Sequence, residues 1–132
     1  MAKYKFVGFQ EHIEIPDGFE KLEVSAEIDC GKHDPFTLVS QPLELSKWFY
    51  EIESLDAKPS GVILFRNTEY AGICISADLG KELTLVSDHF GEFKANVKGR
   101  VLSLTFRILT DSSDSKRKEF ESMINSLKEL VK

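Results

Sequence analysis

Imidazole changes charge near neutral pH and binds metals, which makes His12, His33 and His89 the first residues to test for chemistry. A zinc site takes about four ligands at close spacing, and Cys30 with His33 is the one nearby cysteine–histidine pair. No metal site is expected. Cys30 and Cys74 are the only cysteines and form no CxxC, too few for a disulfide framework. Cys74 reads as a small buried apolar residue rather than a nucleophile. Ser87, Asp88 and His89 hold the residue types of a triad in succession, but neighbours on an extended chain point to opposite sides and do not converge. Carboxylates are plentiful, yet no pair sits in an apolar setting that would raise one pKa for acid–base work. Gly91 and Gly99 mark hairpins and build no phosphate loop. These residues imply no catalytic group and no cofactor; His89 beside carboxylates is the one enzymatic alternative.

Binding is the chemistry that remains. The chain carries 22 acidic and 17 basic residues, a formal net charge of -5. That balance opposes nucleic-acid binding, which rewards a basic face, and is compatible with a basic protein partner. Residues 10–20 form an acidic loop in which Glu11, Glu14, Asp17 and Glu20 surround the turn Pro16-Asp17-Gly18 together with Ile13, Ile15 and Phe19. Long loops on a rigid sheet often carry recognition. Glu11, Glu14, Asp17, Phe19 and Glu20 are therefore the candidate partner surface. Lys116, Arg117 and Lys118 begin a predicted helix, where cations oppose the macrodipole, and read as a solvated face.

Strands must position that loop. Tyr4 and Phe6 share one side of a first strand, and Leu22, Val24, Ala26, Ile28 and Cys30 alternate strictly with Glu23, Ser25, Glu27 and Asp29. Gly31 to Pro35 reads as a hairpin turn into a strand with Phe36 and Leu38. Ser40 is placed to cap a helix near Pro42, on which Leu45, Trp48, Phe49, Ile52 and Leu55 share one face while Tyr50 falls off it. Val62 to Phe65, wholly apolar, reads as a strand covered on both faces. Ile73, Ile75 and Ala77 alternate along the next, with Cys74 out of phase. Three alternating runs between Glu82 and Leu109 turn at Gly91 and Gly99, and Phe120, Met123, Ile124, Leu127, Leu130 and Val131 form the stripe of a last helix. The expected fold is α+β, a mostly antiparallel sheet of about seven to eight strands covered on one face by two helices, in the order βββαβββββα.

At 132 residues, with 42% hydrophobic residues and ten Phe, the chain suits one domain spanning 1–132. A chain of this size buries roughly two-thirds of its unfolded surface without staples. No apolar run approaches membrane-spanning length and the N-terminus lacks a secretory run, so a cytoplasmic protein is expected.

Phe6-Val7-Gly8-Phe9-Gln10, the alternating run from Leu22 to Ile28, the segment with Leu45, Trp48 and Phe49, and Phe65-Arg66-Asn67-Thr68-Glu69 followed by Ile73 and Ile75 recur in this order with a closing meander and a terminal helix. In that layout the chain resembles the WapI-type bacterial immunity family over nearly its full length. Tyr70 stands where members often carry proline after the glutamate represented by Glu69. The resemblance implies an immunity protein that binds and neutralises a cognate toxin domain by occluding its active site, and it adds Glu69 to the candidate contacts. The alternative, from another class, is a small-ligand or regulatory module with its pocket between the sheet and the first helix.

Overall fold

A computed structural model of the chain describes residues 17–66 and 68–132. Alternation of Leu22, Val24 and Ile28 with charged residues produces strand β1 (Glu20–Asp29), apolar on one face only. Two short helices follow, α1 (Pro35–Ser40) and α2 (Pro42–Leu45). Six strands then run in succession: β2 (Ile52–Leu55), β3 (Val62–Phe65), β4 (Ala71–Asp78), β5 (Glu82–Ser87), β6 (Gly91–Lys98) and β7 (Val101–Thr110). The closing helix is α3 (Ser113–Leu130).

Among the described residues the sheet has seven strands in the order β1-β7-β6-β5-β4-β3-β2, and every neighbouring pair is antiparallel. The α+β expectation therefore holds, with the helices on one face. α3 lies along β1 and β7, α1 meets β5, β6 and β7, and α2 meets β2. The element order differs from the expected one in two places.

The chain after the turn at Gly31 is helical rather than a second hairpin strand. Pro35 sits at the first helical position, which its fixed backbone angle favours, and Thr37 Oγ1 donates to Asp34 Oδ2 at 2.6 Å. Phe36, Leu38 and Val39 are all buried, so this helix is apolar nearly all round. An i, i+2 apolar pair inside such a helix imitates a strand.

The helix expected through Leu55 ends at Leu45. Ser46 Oγ donates to Pro42 O at 2.8 Å and accepts from Ile52 N at 3.0 Å, and this holds the chain in a turn. Trp48 and Phe49 occupy the turn and Ile52 opens the edge strand, all three on the core side. Their three- and four-residue spacing comes from a turn entering a strand. Ser40 does not cap α2: its hydroxyl donates to Phe36 O at 2.8 Å, and Gln41 holds the cap position.

β3 and β4 also differ from expectation. Ile63 and Phe65 are buried while Val62 and Leu64 are exposed, so β3 is covered on one face only. On β4, Cys74 faces the core, and Ile73 and Ile75 face outward around a register shift between Cys74 and Ser76. The expected first strand at Tyr4 to Phe9 lies outside the described residues.

Between the helices and the sheet the core is aromatic. Phe49 stands 5.0 Å from Phe93, 5.2 Å from Phe90 and 6.1 Å from Phe106, and Phe106 stacks on Phe120 of α3 at 4.4 Å. On the outer face one register row crosses the sheet as Glu23, Arg107, Glu92, Val86, Ile73 and Val62. Arg107 bridges its two flanking glutamates at 3.3 Å and 3.6 Å.

Candidate functional site

Antiparallel pairing decides which loops meet. The register places the start of β1 beside the end of β7, the start of β6 beside the ends of β5 and β7, the start of β4 beside the end of β5, and the start of β2 beside the end of β3. The turn before β1, the β3–β4 loop, the β5–β6 turn and the beginning of α3 therefore share one end of the sheet. Asp17, Glu20, Glu51, Glu69, Asp88, Asp111 and Asp114 are all exposed there, against Lys21, Arg66, Lys116 and Arg117. Among the described residues the opposite end mixes Lys32, Lys58, Lys81, Lys98 and Arg100 with Asp29, Asp34, Asp56, Asp78 and Glu82 and carries no such excess.

Of the sequence-derived contacts, Asp17, Phe19 and Glu20 lie exposed where the chain enters β1, with Phe19 at 41% exposure. Glu20 accepts a hydrogen bond from the Ser113 hydroxyl, tying that entry to the first turn of α3. Glu69 is exposed in the β3–β4 loop at the same end, about 19 Å away at four strand spacings. The fold thus places Asp17, Phe19, Glu20 and Glu69 at the same end of the sheet. Glu11 and Glu14 lie outside the described residues.

At this end the fold also assembles a cluster that no spacing in the chain announces. Tyr50, from the turn before β2, donates its hydroxyl to Glu119 on α3. The His89 imidazole, in the β5–β6 turn, lies between two tyrosines: its centroid is 3.9 Å from Tyr50 and 4.4 Å from Tyr70, parallel to the latter within 4°. Phe65 meets it edge-on at 5.5 Å. Lys116 Nζ donates to His89 O at 3.0 Å and pairs with Glu119 Oε2 at 3.3 Å.

Burial holds the Tyr50 phenol well above its usual range, reinforced by its hydrogen bond to Glu119. The proton stays on the tyrosine. Burial also lowers the His89 pKa, helped by the Lys116 ammonium and opposed by Glu119, so the ring is neutral at neutral pH. A neutral imidazole packed by rings is suited to stacking. Tyr50, His89, Lys116 and Glu119 come from three separate parts of the chain, and only strand register and helix packing bring them together.

Cys30 and Cys74 are free and buried, and burial raises both thiol pKa values. Among the described residues no group of three His, Cys, Asp or Glu side chains is placed to hold a metal ion. Among the same residues no helix is long and apolar enough to cross a membrane. An open depression of about 420 Å³ runs along α3 beside Lys118, Ser122 and Asn125.

No family model matches the chain, and no curated protein does. Solved structures do. Protein CV1439 from Chromobacterium violaceum is similar with a TM-score of 0.65 at 13% identity, over 85% of this chain and 97% of that one. CalU16 from Micromonospora echinospora is similar with a TM-score of 0.60 at 12% identity, over 89% of this chain and 81% of that one. DynU16, a protein in the dynemicin biosynthetic locus, is similar with a TM-score of 0.53 at 12% identity, over 86% of this chain and 47% of that one. At these identities the likeness is one of fold: a seven-stranded antiparallel sheet with helices packed on one face.

Proposed function

We propose that this protein acts by binding a basic protein surface with the acidic end of its sheet, and that the partner is a toxin domain which it neutralises by covering the active site. The exposure of Asp17, Phe19, Glu20 and Glu69 at one net-acidic end of the sheet supports this reading. Complementary charge speeds encounter and selects the partner, while exposed aromatic side chains supply contact area. The resemblance to immunity proteins supplies the kind of partner. No catalysis by the chain itself is required.

The alternative of a small-ligand or regulatory module calls for a chamber between the sheet and the first helix. On that side of the sheet the rings of Trp48 and Phe49 pack against Phe93, at 6.1 Å and 5.0 Å.

Co-expression with the toxin encoded immediately upstream tests the proposal. The wild-type protein is expected to restore growth and to co-purify with the toxin domain, and the double variant Asp17→Lys/Glu69→Lys is expected to lose both. Absence of rescue together with absence of a complex would sink the reading.

A further inference from the structure

The acidic end contains one feature that charge alone does not account for. Tyr70 is 47% exposed although its ring lies flat against His89, 4.4 Å away and within 4° of parallel. Behind His89 the rings continue inward through Tyr50 at 3.9 Å and Phe90 at 5.7 Å, and Phe90 is fully buried. The loop backbone is held as well, with Tyr70 N donating to Thr68 Oγ1 at 3.2 Å. Among the described residues Tyr70 is thus the outermost ring of a stack anchored in the core. Its position is set before any partner arrives, so little side-chain freedom is lost on binding.

Glu69 precedes Tyr70 and Asp88 precedes His89, and both carboxylates are exposed. The Lys116 ammonium is engaged from the helix side by His89 O and Glu119. A supported aromatic face on a net-acidic end of the sheet fits a planar cation. Guanidinium stacks on aromatic faces and is more weakly hydrated than ammonium, and its fork of donors matches a carboxylate.

We infer that Tyr70, backed by His89, is the docking point for an arginine side chain of the protein partner. This deepens the binding reading above and rests on it. Tyrosine–arginine pairs of this kind are frequent energetic centres of interfaces. Arg66 lies exposed in the same loop, and its removal is expected to leave arginine binding intact.

The probes are two peptides of equal charge, tetra-arginine and tetra-lysine, titrated into the full chain at low salt while the side-chain NMR signals of Tyr70 and His89 are followed. Tetra-arginine is expected to shift both signals and to bind more tightly. Tyr70→Ala should weaken tetra-arginine about two- to five-fold, the size of an exposed cation–π contact, and leave tetra-lysine unchanged. Tyr70→Phe, which keeps the ring, should retain the preference, and an unchanged melting temperature establishes that the variants fold. Equal binding of both peptides with no effect of Tyr70→Ala would overturn the docking point and leave the acidic-surface reading standing. Failure of both peptides to bind would overturn the two together.

Discussion

The Tyr50 hydroxyl donates to the Glu119 carboxylate across 69 residues of chain, joining the turn before β2 to the second turn of α3. This bond and the Lys116 contact to His89 O hold α3 onto the loop end of the sheet. A hydrogen bond to a charged acceptor is worth more than a neutral one. Tyr50→Phe keeps the ring against His89 and removes only the hydroxyl. It is expected to cost about 1–2 kcal/mol, measured as a lower urea midpoint with an unchanged slope.

His89 gives stability a pH dependence with a definite sign. Its folded-state pKa lies below the usual imidazole range because of burial and the Lys116 ammonium. As pH falls through about 6.5, the unfolded chain takes up a proton that the folded chain refuses. Stability is therefore complete above that pH and declines as pH falls toward the folded value. The groups facing the ring are Tyr50, Tyr70, Lys116 and Glu119. His89→Gln is expected to reduce the drop in melting temperature between pH 7.5 and pH 5.5; an undiminished drop would contradict the assignment.

Gly91 and Gly80 separate backbone strain from crowding. Both have positive φ, 79° and 82°. A Cβ on Gly91 would sit 2.2 Å from Arg107 O and 2.9 Å from Ile108 Cβ, whereas nothing lies within 4 Å of one on Gly80. Gly80→Ala is expected to cost about 1 kcal/mol from conformation alone. Gly91→Ala adds a clash with the backbone of the neighbouring strand, and a loss of at least about 3 kcal/mol is expected. Equal losses in thermal unfolding would remove the crowding explanation.

Phe49 is the ring on which the core converges, in contact range of Trp48, Tyr50, Phe90, Phe93 and Phe106. Phe49→Ala should cost about 3–5 kcal/mol. Phe49→Leu should cost less, because more of the volume stays filled. Chemical denaturation of the two variants checks the order.

The chain's own periodicity determined most of the sheet. Strict alternation in β1, β6 and β7 marked strands and their buried faces, because side-chain direction along a strand follows directly from covalent geometry. The three-and-four spacing from Phe120 to Leu127 marked α3 for the same reason. Periodicity misled where apolar residues came from mixed conformations. Phe36 and Leu38 alternate on a helix buried nearly all round, and Trp48, Phe49 and Ile52 take helical spacing across a turn and a strand. Asp17, Phe19, Glu20 and Glu69 could be selected as polar or exposed loop residues, but their placement at the same end of the sheet was decided by the strand order β1-β7-β6-β5-β4-β3-β2. The stack of Tyr70, His89 and Tyr50 was decided by tertiary structure alone. Its members are distant in sequence and come from separate loops, and no local pattern encodes which loops an antiparallel register will bring to the same end.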